Sequence, residues 1–384
     1  MTMRCGVASI AIITLLCLLF GANAQAASPI PHEKLPPARK LLAVRSTATM
    51  PLPDSVVPTP ASSADVESGE KTLAAKDADE NLALPEYPIG ARISIGQMKS
   101  YVTVEEDTFA DIARHFDLGY VELRAANSGI DPWSAPPGEK LVIPTFKLLP
   151  RAPQQGIVVN LGEMRMYFYA TPGRAPMTFP LGIGREGLET PTGQTSIIKK
   201  VVGPVWFPTE RMRKDKPWLP ASIPAGNANP LGTHALYLGW PTFLIHGSNK
   251  PWGIGRRVSS GCIRMYPEDI VTMYNTTPVG VRVTVVNQPI KVGWLDDGLY
   301  LEANPTLTQS NQIEIDGTHA TKGIGPGMRK NIVDAAGKWA PRINWATAEK
   351  AVRERRGIPV RIATPDADAD DTDANEPASS SPYN

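Results

Sequence analysis

Between Gly156 and Val286 the chain is cut into short β-rich runs, each bounded by glycine, proline or asparagine. Punctuation that frequent leaves little room for long helices, so it constrains the fold more than any other feature. "GIVVNLGEMRMYFYA" predicts a hairpin, two β-rich runs either side of a glycine-containing turn. "MTFPLGIG", "ALYLGW", "TFLIHG" and "VRVTVV" predict further short strands. One helix interrupts them, "YPEDIVTMYNTTP", where Glu268 and Asp269 favour a helix start. The expected fold class is therefore mainly β, a β-sandwich or mixed β domain over residues 154–288.

The flanks read differently. Arg4 precedes an apolar run from about Val7 to Phe20, and Ala22, Ala24 and Ala26 offer A-x-A cleavage sites. That run is short for a membrane span, so residues 1–26 are expected to be a cleaved signal peptide, with an uncleaved anchor as the alternative. Cys17 follows Leu16 rather than a small residue, which argues against a lipid anchor. Residues 27–96 are rich in Pro, Ala, Ser and charge without a sustained apolar period, and predict a tether. Residues 363–384 predict a solvated acidic tail. Export would place the mature chain in the periplasm, with no membrane span after cleavage.

Residues 97–146 form a compact unit. "YVTV" alternates as a strand, Asp107 can cap a helix carrying Phe109, Ile112 and Phe116, and a second helix holds Val121, Leu123 and Ala125 up to Asn127. "PPGEKLVIP" then predicts a turn into a closing strand. This β-α-α-β order resembles a LysM domain, the small module that grips the sugar backbone of peptidoglycan and chitin. "EEDTF" departs from that family's usual Pro-Gly-Asp-Thr-Leu turn. Residues 289–362 predict a C-terminal extension of a hairpin, "IKVGWLDDGLYLEANP", plus one helix running from Asn344 until Gly357 and Pro359 stop it.

Formal net charge is +1, and nothing suggests nucleic acid or a phosphate-cradling loop. Of three cysteines, Cys5 and Cys17 lie in the leader, so Cys262 stands alone in the rest of the chain. A lone thiol in an oxidising compartment is either buried or used. His246 precedes it by a glycine-containing loop that can bring imidazole and thiol to one cleft, and a carbonyl near Gly247 can orient the ring. Gly261 lets backbone amides beside Cys262 converge on an oxyanion. Arg264 can hold a substrate carboxylate or brace the loop by an ion pair. The five histidines, His32, His115, His234, His246 and His319, show no zinc-ligand spacing, so no metal and no cofactor are expected. His234 can line the cleft rim or simply begin a strand.

"HG" followed by "SSGCIRM", after "TPTG" and "NPLGTHALYLG", resembles the catalytic core of the L,D-transpeptidases, the YkuD or ErfK/YbiS/YcfS/YnhG family. The likeness spans roughly residues 99–305. It implies that Cys262 is the nucleophile and His246 the base and acid, with Gly247 orienting the ring and Gly261 helping to form the oxyanion site. Arg264, Ser259 and Ser260 fall on the motif as substrate-binding positions. Ser260 stands where many members carry His, which leaves His246 as the base. The implied partner is the peptidoglycan tetrapeptide stem, with glycan held by the LysM-like unit. The acceptor would be a second stem, giving a 3→3 cross-link, or an outer-membrane lipoprotein or barrel protein. A carboxypeptidase using water and a non-catalytic wall anchor are the alternatives. A monomer is expected.

Overall fold

The computed structural model describes Tyr87 and residues 90–365. The expected signal peptide, most of the tether and nearly all of the acidic tail lie outside the described residues. The last residues of the expected tether are instead packed. Strand β1 (Ser94–Ile95) pairs antiparallel with a two-residue strand at 147–148, and the Tyr87 hydroxyl donates to Leu149 O at 2.9 Å.

The β-α-α-β unit follows as β2 (Lys99–Val102), α1 (Phe109–His115), α2 (Tyr120–Ala126) and β3 (Lys140–Ile143), with β2 and β3 antiparallel. Thr108, not Asp107, caps α1: its side chain accepts from Asp111 N at 3.2 Å. Asp107 is occupied one step earlier, accepting from Val104 N at 2.8 Å and the Tyr101 hydroxyl at 2.9 Å. The carboxylate therefore pins the turn out of β2, and the extended Thr108 is left to start the helix. Strand β4 (Lys147–Leu148) then leads into the main domain.

That domain is mainly β, as its punctuation demands. Its elements are β5 (Gly156–Asn160), β6 (Arg165–Tyr169), β7 (Met177–Pro180), β8 (Ile183–Gly184), β9 (Gly193–Val202), α3 (Glu210–Asp215), β10 (His234–Leu238), β11 (Leu244–His246), β12 (Arg257–Ser259), β13 (Ile263–Arg264), α4 (Pro267–Thr276) and β14 (Arg282–Val286). Eight strands hydrogen-bond in the order β13-β11-β10-β9-β14-β5-β6-β7, and β8 pairs separately with β12. The Val-rich β5 and β14 run parallel in the interior, with Ile157–Asn160 and Val283–Val285 buried, as expected for strand centres covered on both faces. Helix α4 opens with Pro267 and two acidic residues and buries Ile270 and Met273. The ten-residue β9 escaped the sequence because its side chains alternate poorly: only Ile197 is buried.

The C-terminal extension is larger than a hairpin and one helix. Strands β15 (Ile290–Leu295) and β16 (Gly298–Ala303) form the hairpin; α5 (Leu307–Asp316), α6 (Pro326–Ala336) and α7 (Trp345–Glu354) follow. Strand β17 (Val360–Ala363) then joins β16, one residue beyond the extension expected over 289–362. Helix α7 ends before Gly357. Arg355 adopts a left-handed conformation, φ 51°, while its buried guanidinium donates to Val352 O and Asn304 O.

The three units are not beads. Buried side chains of the β-α-α-β unit, among them Phe109, Ile112 and Leu123, share one apolar cluster with Ile157, Met166 and Leu181 of the main domain. A buried chain of charges runs across all the seams. Glu122 of α2 pairs with Arg165 at 2.6 Å and Lys147 at 2.7 Å, while Lys291 pairs with Glu163 at 2.8 Å and Glu302 at 2.9 Å. The two cations beside Glu122 outweigh its burial and hold its carboxyl down at about 2.

Candidate active site

Strands β11 and β13 run parallel at the sheet edge, with Ile245 opposite Ile263 and His246 opposite Arg264. Side chains alternate along a strand, so His246, Arg264 and Cys262 project from one face while Ile245 and Ile263 are buried on the other. A parallel pair needs a long crossover, and here it is the loop from Gly247 to Gly261. Sixteen positions apart in sequence, His246 and Cys262 are thus brought to one edge of the sheet by strand register.

His246 is 3% exposed, and Nδ1 lies 2.6 Å from Gly247 O, the orienting carbonyl expected from the sequence. Gly247 must be small: a Cβ there would sit 2.9 Å from Ile270 Cγ2 of α4. Burial, reinforced by the Arg264 charge, drives the imidazole pKa down to about 3 against the pull of the Gly247 and Leu231 carbonyls. The ring is neutral at neutral pH. Cys262 is half-buried, its Sγ 3.5 Å from Thr242 O. Burial raises the thiol pKa, while the Leu244 backbone and Arg264 act the other way. The resting pair is a neutral thiol and a neutral imidazole rather than a thiolate and an imidazolium.

Arg264 is half-buried and clamped by its backbone, its N donating to Gly182 O at 2.7 Å and its O accepting from Gly182 N at 2.9 Å. Its Nε is buried without a hydrogen-bond partner, and its resolved charge partner is the Cys262 thiol. No carboxylate pairs with it among the described residues, which removes the loop-bracing ion pair from the two roles left open by the sequence.

Ser259 faces back onto the turn. It is 2% exposed, its hydroxyl donates to Cys262 O at 2.5 Å and accepts from Gly261 N at 3.2 Å, so it locks the turn that presents the thiol. Gly261 is tied into the same turn. Its amide is engaged by Ser259, and glycine is required because φ is +101° and a Cβ would lie 2.9 Å from the Phe243 ring. Ser260 is half-buried beside the thiol. Sequence reasoning missed three supports: Thr190, whose Oγ1 donates to Gly261 O at 2.8 Å; Phe243, which walls Gly261; and the 242–244 turn under Sγ. Thr190 lies in the "TPTG" stretch already singled out. His234 neighbours the β10 residue paired with His246, so alternation turns it to the opposite face, against Tyr274. No cluster of metal-binding side chains occurs among the described residues.

Residues 154–285 match the model of the L,D-transpeptidase catalytic domain, and residues 101–144 that of the LysM domain. The chain is 41% identical to the probable L,D-transpeptidase YcfS of Escherichia coli K12, over 56% of this chain and 70% of that protein. It is 34% identical to the probable L,D-transpeptidase YbiS of the same strain, over 72% of this chain and 91% of that protein. The chain belongs to the L,D-transpeptidase family.

As an L,D-transpeptidase the molecule carries the Cys262 thiol and the Arg264 guanidinium on one face of β13, with a neutral imidazole alongside. Its LysM domain packs directly on the catalytic domain, where the Arg114 guanidinium grips Glu268 of α4 through two hydrogen bonds, at 2.7 and 2.8 Å.

Proposed function

We propose that this enzyme acts on peptidoglycan tetrapeptide stems, with Cys262 as nucleophile and His246 as general base and acid. The placement of Cys262, His246 and Arg264 on one sheet face is the observation that carries the reading. The thiol attacks the carbonyl of the L-centre of meso-diaminopimelate as its proton passes to neutral His246. The tetrahedral intermediate then collapses, the imidazolium returns the proton to the amide nitrogen, and D-Ala leaves from a thioester. Arg264, half-buried and without a carboxylate partner among the described residues, suits the terminal carboxylate of the departing D-Ala and the developing thiolate. With the Gly261 amide engaged by Ser259, the oxyanion falls to other backbone amides around Cys262.

An amine then resolves the thioester. Another stem gives a 3→3 cross-link, and a protein lysine tethers an outer-membrane lipoprotein to the wall. The apolar leader supports a periplasmic site of action, and the LysM domain supports contact with glycan strands. Incubation with disaccharide-tetrapeptides followed by mass spectrometry tests the reading. Release of D-Ala with a transient thioester on Cys262, both lost in Cys262→Ala, is expected. Release that persists in Cys262→Ala would refute it.

A further inference from the structure

The loop that carries the chain from His246 to Cys262 is gripped from outside the catalytic sheet. At the start of α2, the amides of Tyr120 and Val121 donate to the carbonyls of Ile254 and Gly255, each at 3.2 Å. The two backbones touch at paired glycines. A Cβ on Gly255 would lie 2.3 Å from Gly119 Cα, and one on Gly119 would lie 2.7 Å from Gly255 Cα. Next along the loop, the Arg256 guanidinium stacks on the Tyr120 ring, 3.6 Å from its centroid, and pairs with Glu314 of α5 at 2.9 Å. From Arg256 the chain enters β12, held by β8, and reaches Ser259, whose hydroxyl fixes Cys262 O. The LysM domain also grips the far side of β13, where the Tyr266 hydroxyl donates to Leu118 O at 3.1 Å.

We propose that the LysM domain is a positioning element of the active site: Tyr120, with Gly119 and Gly255, sets the loop that presents Cys262 to His246. This rests on Cys262 being the nucleophile. A glycan-binding bead on a linker would need none of these contacts. The Tyr120 hydroxyl is buried without a hydrogen-bond partner, so the ring rather than the phenol serves the stack.

The test uses the full-length enzyme with disaccharide-tetrapeptide as acyl donor and iodoacetamide as thiol probe, rates being expressed per titratable thiol. Tyr120→Ala is expected to lower kcat about tenfold or more with little change in KM, and to shift the pH profile of alkylation, because small misplacements of a nucleophile are costly. Tyr120→Phe is expected to restore both. Leu141→Ala, a buried truncation on β3 rather than on α2 or the loop, is expected to cost stability while leaving the rate per thiol within about twofold of wild type. If Tyr120→Ala does not fold, Arg256→Gln carries the test, with an expected fall in kcat of about threefold. Wild-type rates in both Tyr120→Ala and Arg256→Gln, or an equal loss in Leu141→Ala, would overturn the proposal. Failure of the nucleophile assignment shows up separately, as donor turnover in Cys262→Ala.

Discussion

Asp269→Asn is expected to stabilise the protein at neutral pH. Asp269 lies in the first turn of α4, 7% exposed, with Oδ2 buried and lacking a hydrogen-bond partner. Burial first, then the Asp117 and Glu268 charges, raise its pKa from 3.8 to about 8, and Arg165 and Arg114 offset this only in part. A carboxyl whose folded-state pKa is raised contributes fully below pH 3.8, and that contribution drains away as pH rises toward 8. Up to pH 7 the interval is roughly three pH units, or about 4 kcal/mol before local relaxation reduces it. Asparagine does not titrate, so it escapes this loss. Urea unfolding of both proteins at about pH 4.5 and 7.5 measures the effect, with an expected gain of about 2 kcal/mol or more at the higher pH that shrinks at the lower. If Asp269 were instead an ionised partner of the helix dipole, asparagine would destabilise most at the higher pH. That result would refute the reasoning.

Lys291→Met would leave Glu163 and Glu302 facing each other in a buried site, with an expected loss of about 3–5 kcal/mol in denaturant unfolding. Lys291→Met with Glu163→Gln and Glu302→Gln should recover much of it. For Cys262, the iodoacetamide rate is expected to climb continuously over about pH 6 to 9, since burial lifts the thiol and His246 titrates far below that range. A plateau below about pH 7, the mark of a resting thiolate–imidazolium pair, would refute the neutral-pair description.

Local pattern was readable wherever a segment's face is set by its own alternation. The β5/β6 and β15/β16 hairpins, the β-α-α-β order and the acidic first turn of α4 all appear where their residues imply. Strand β9 and helix α5 were missed for the opposite reason. Gln194, Lys199 and Lys200 interrupt the alternation of β9, and α5 buries only Gln309, Ser310 and Ile313, too few apolar residues to mark a helical stripe. The motif position of Ser259 alone does not fix that its hydroxyl faces back onto the turn.

By itself, then, the sequence determined the β-rich core, the LysM order and the residue types of the site, because these depend on short-range periodicity and on which side chains can do the chemistry. Tertiary structure alone decided that Cys262, His246 and Arg264 share a face, that both thiol and imidazole rest neutral, and that α2 grips the catalytic loop. Those outcomes depend on strand register, burial and long-range contact, with partners such as Gly119 and Gly255 lying far apart along the chain. No local pattern encodes that meeting.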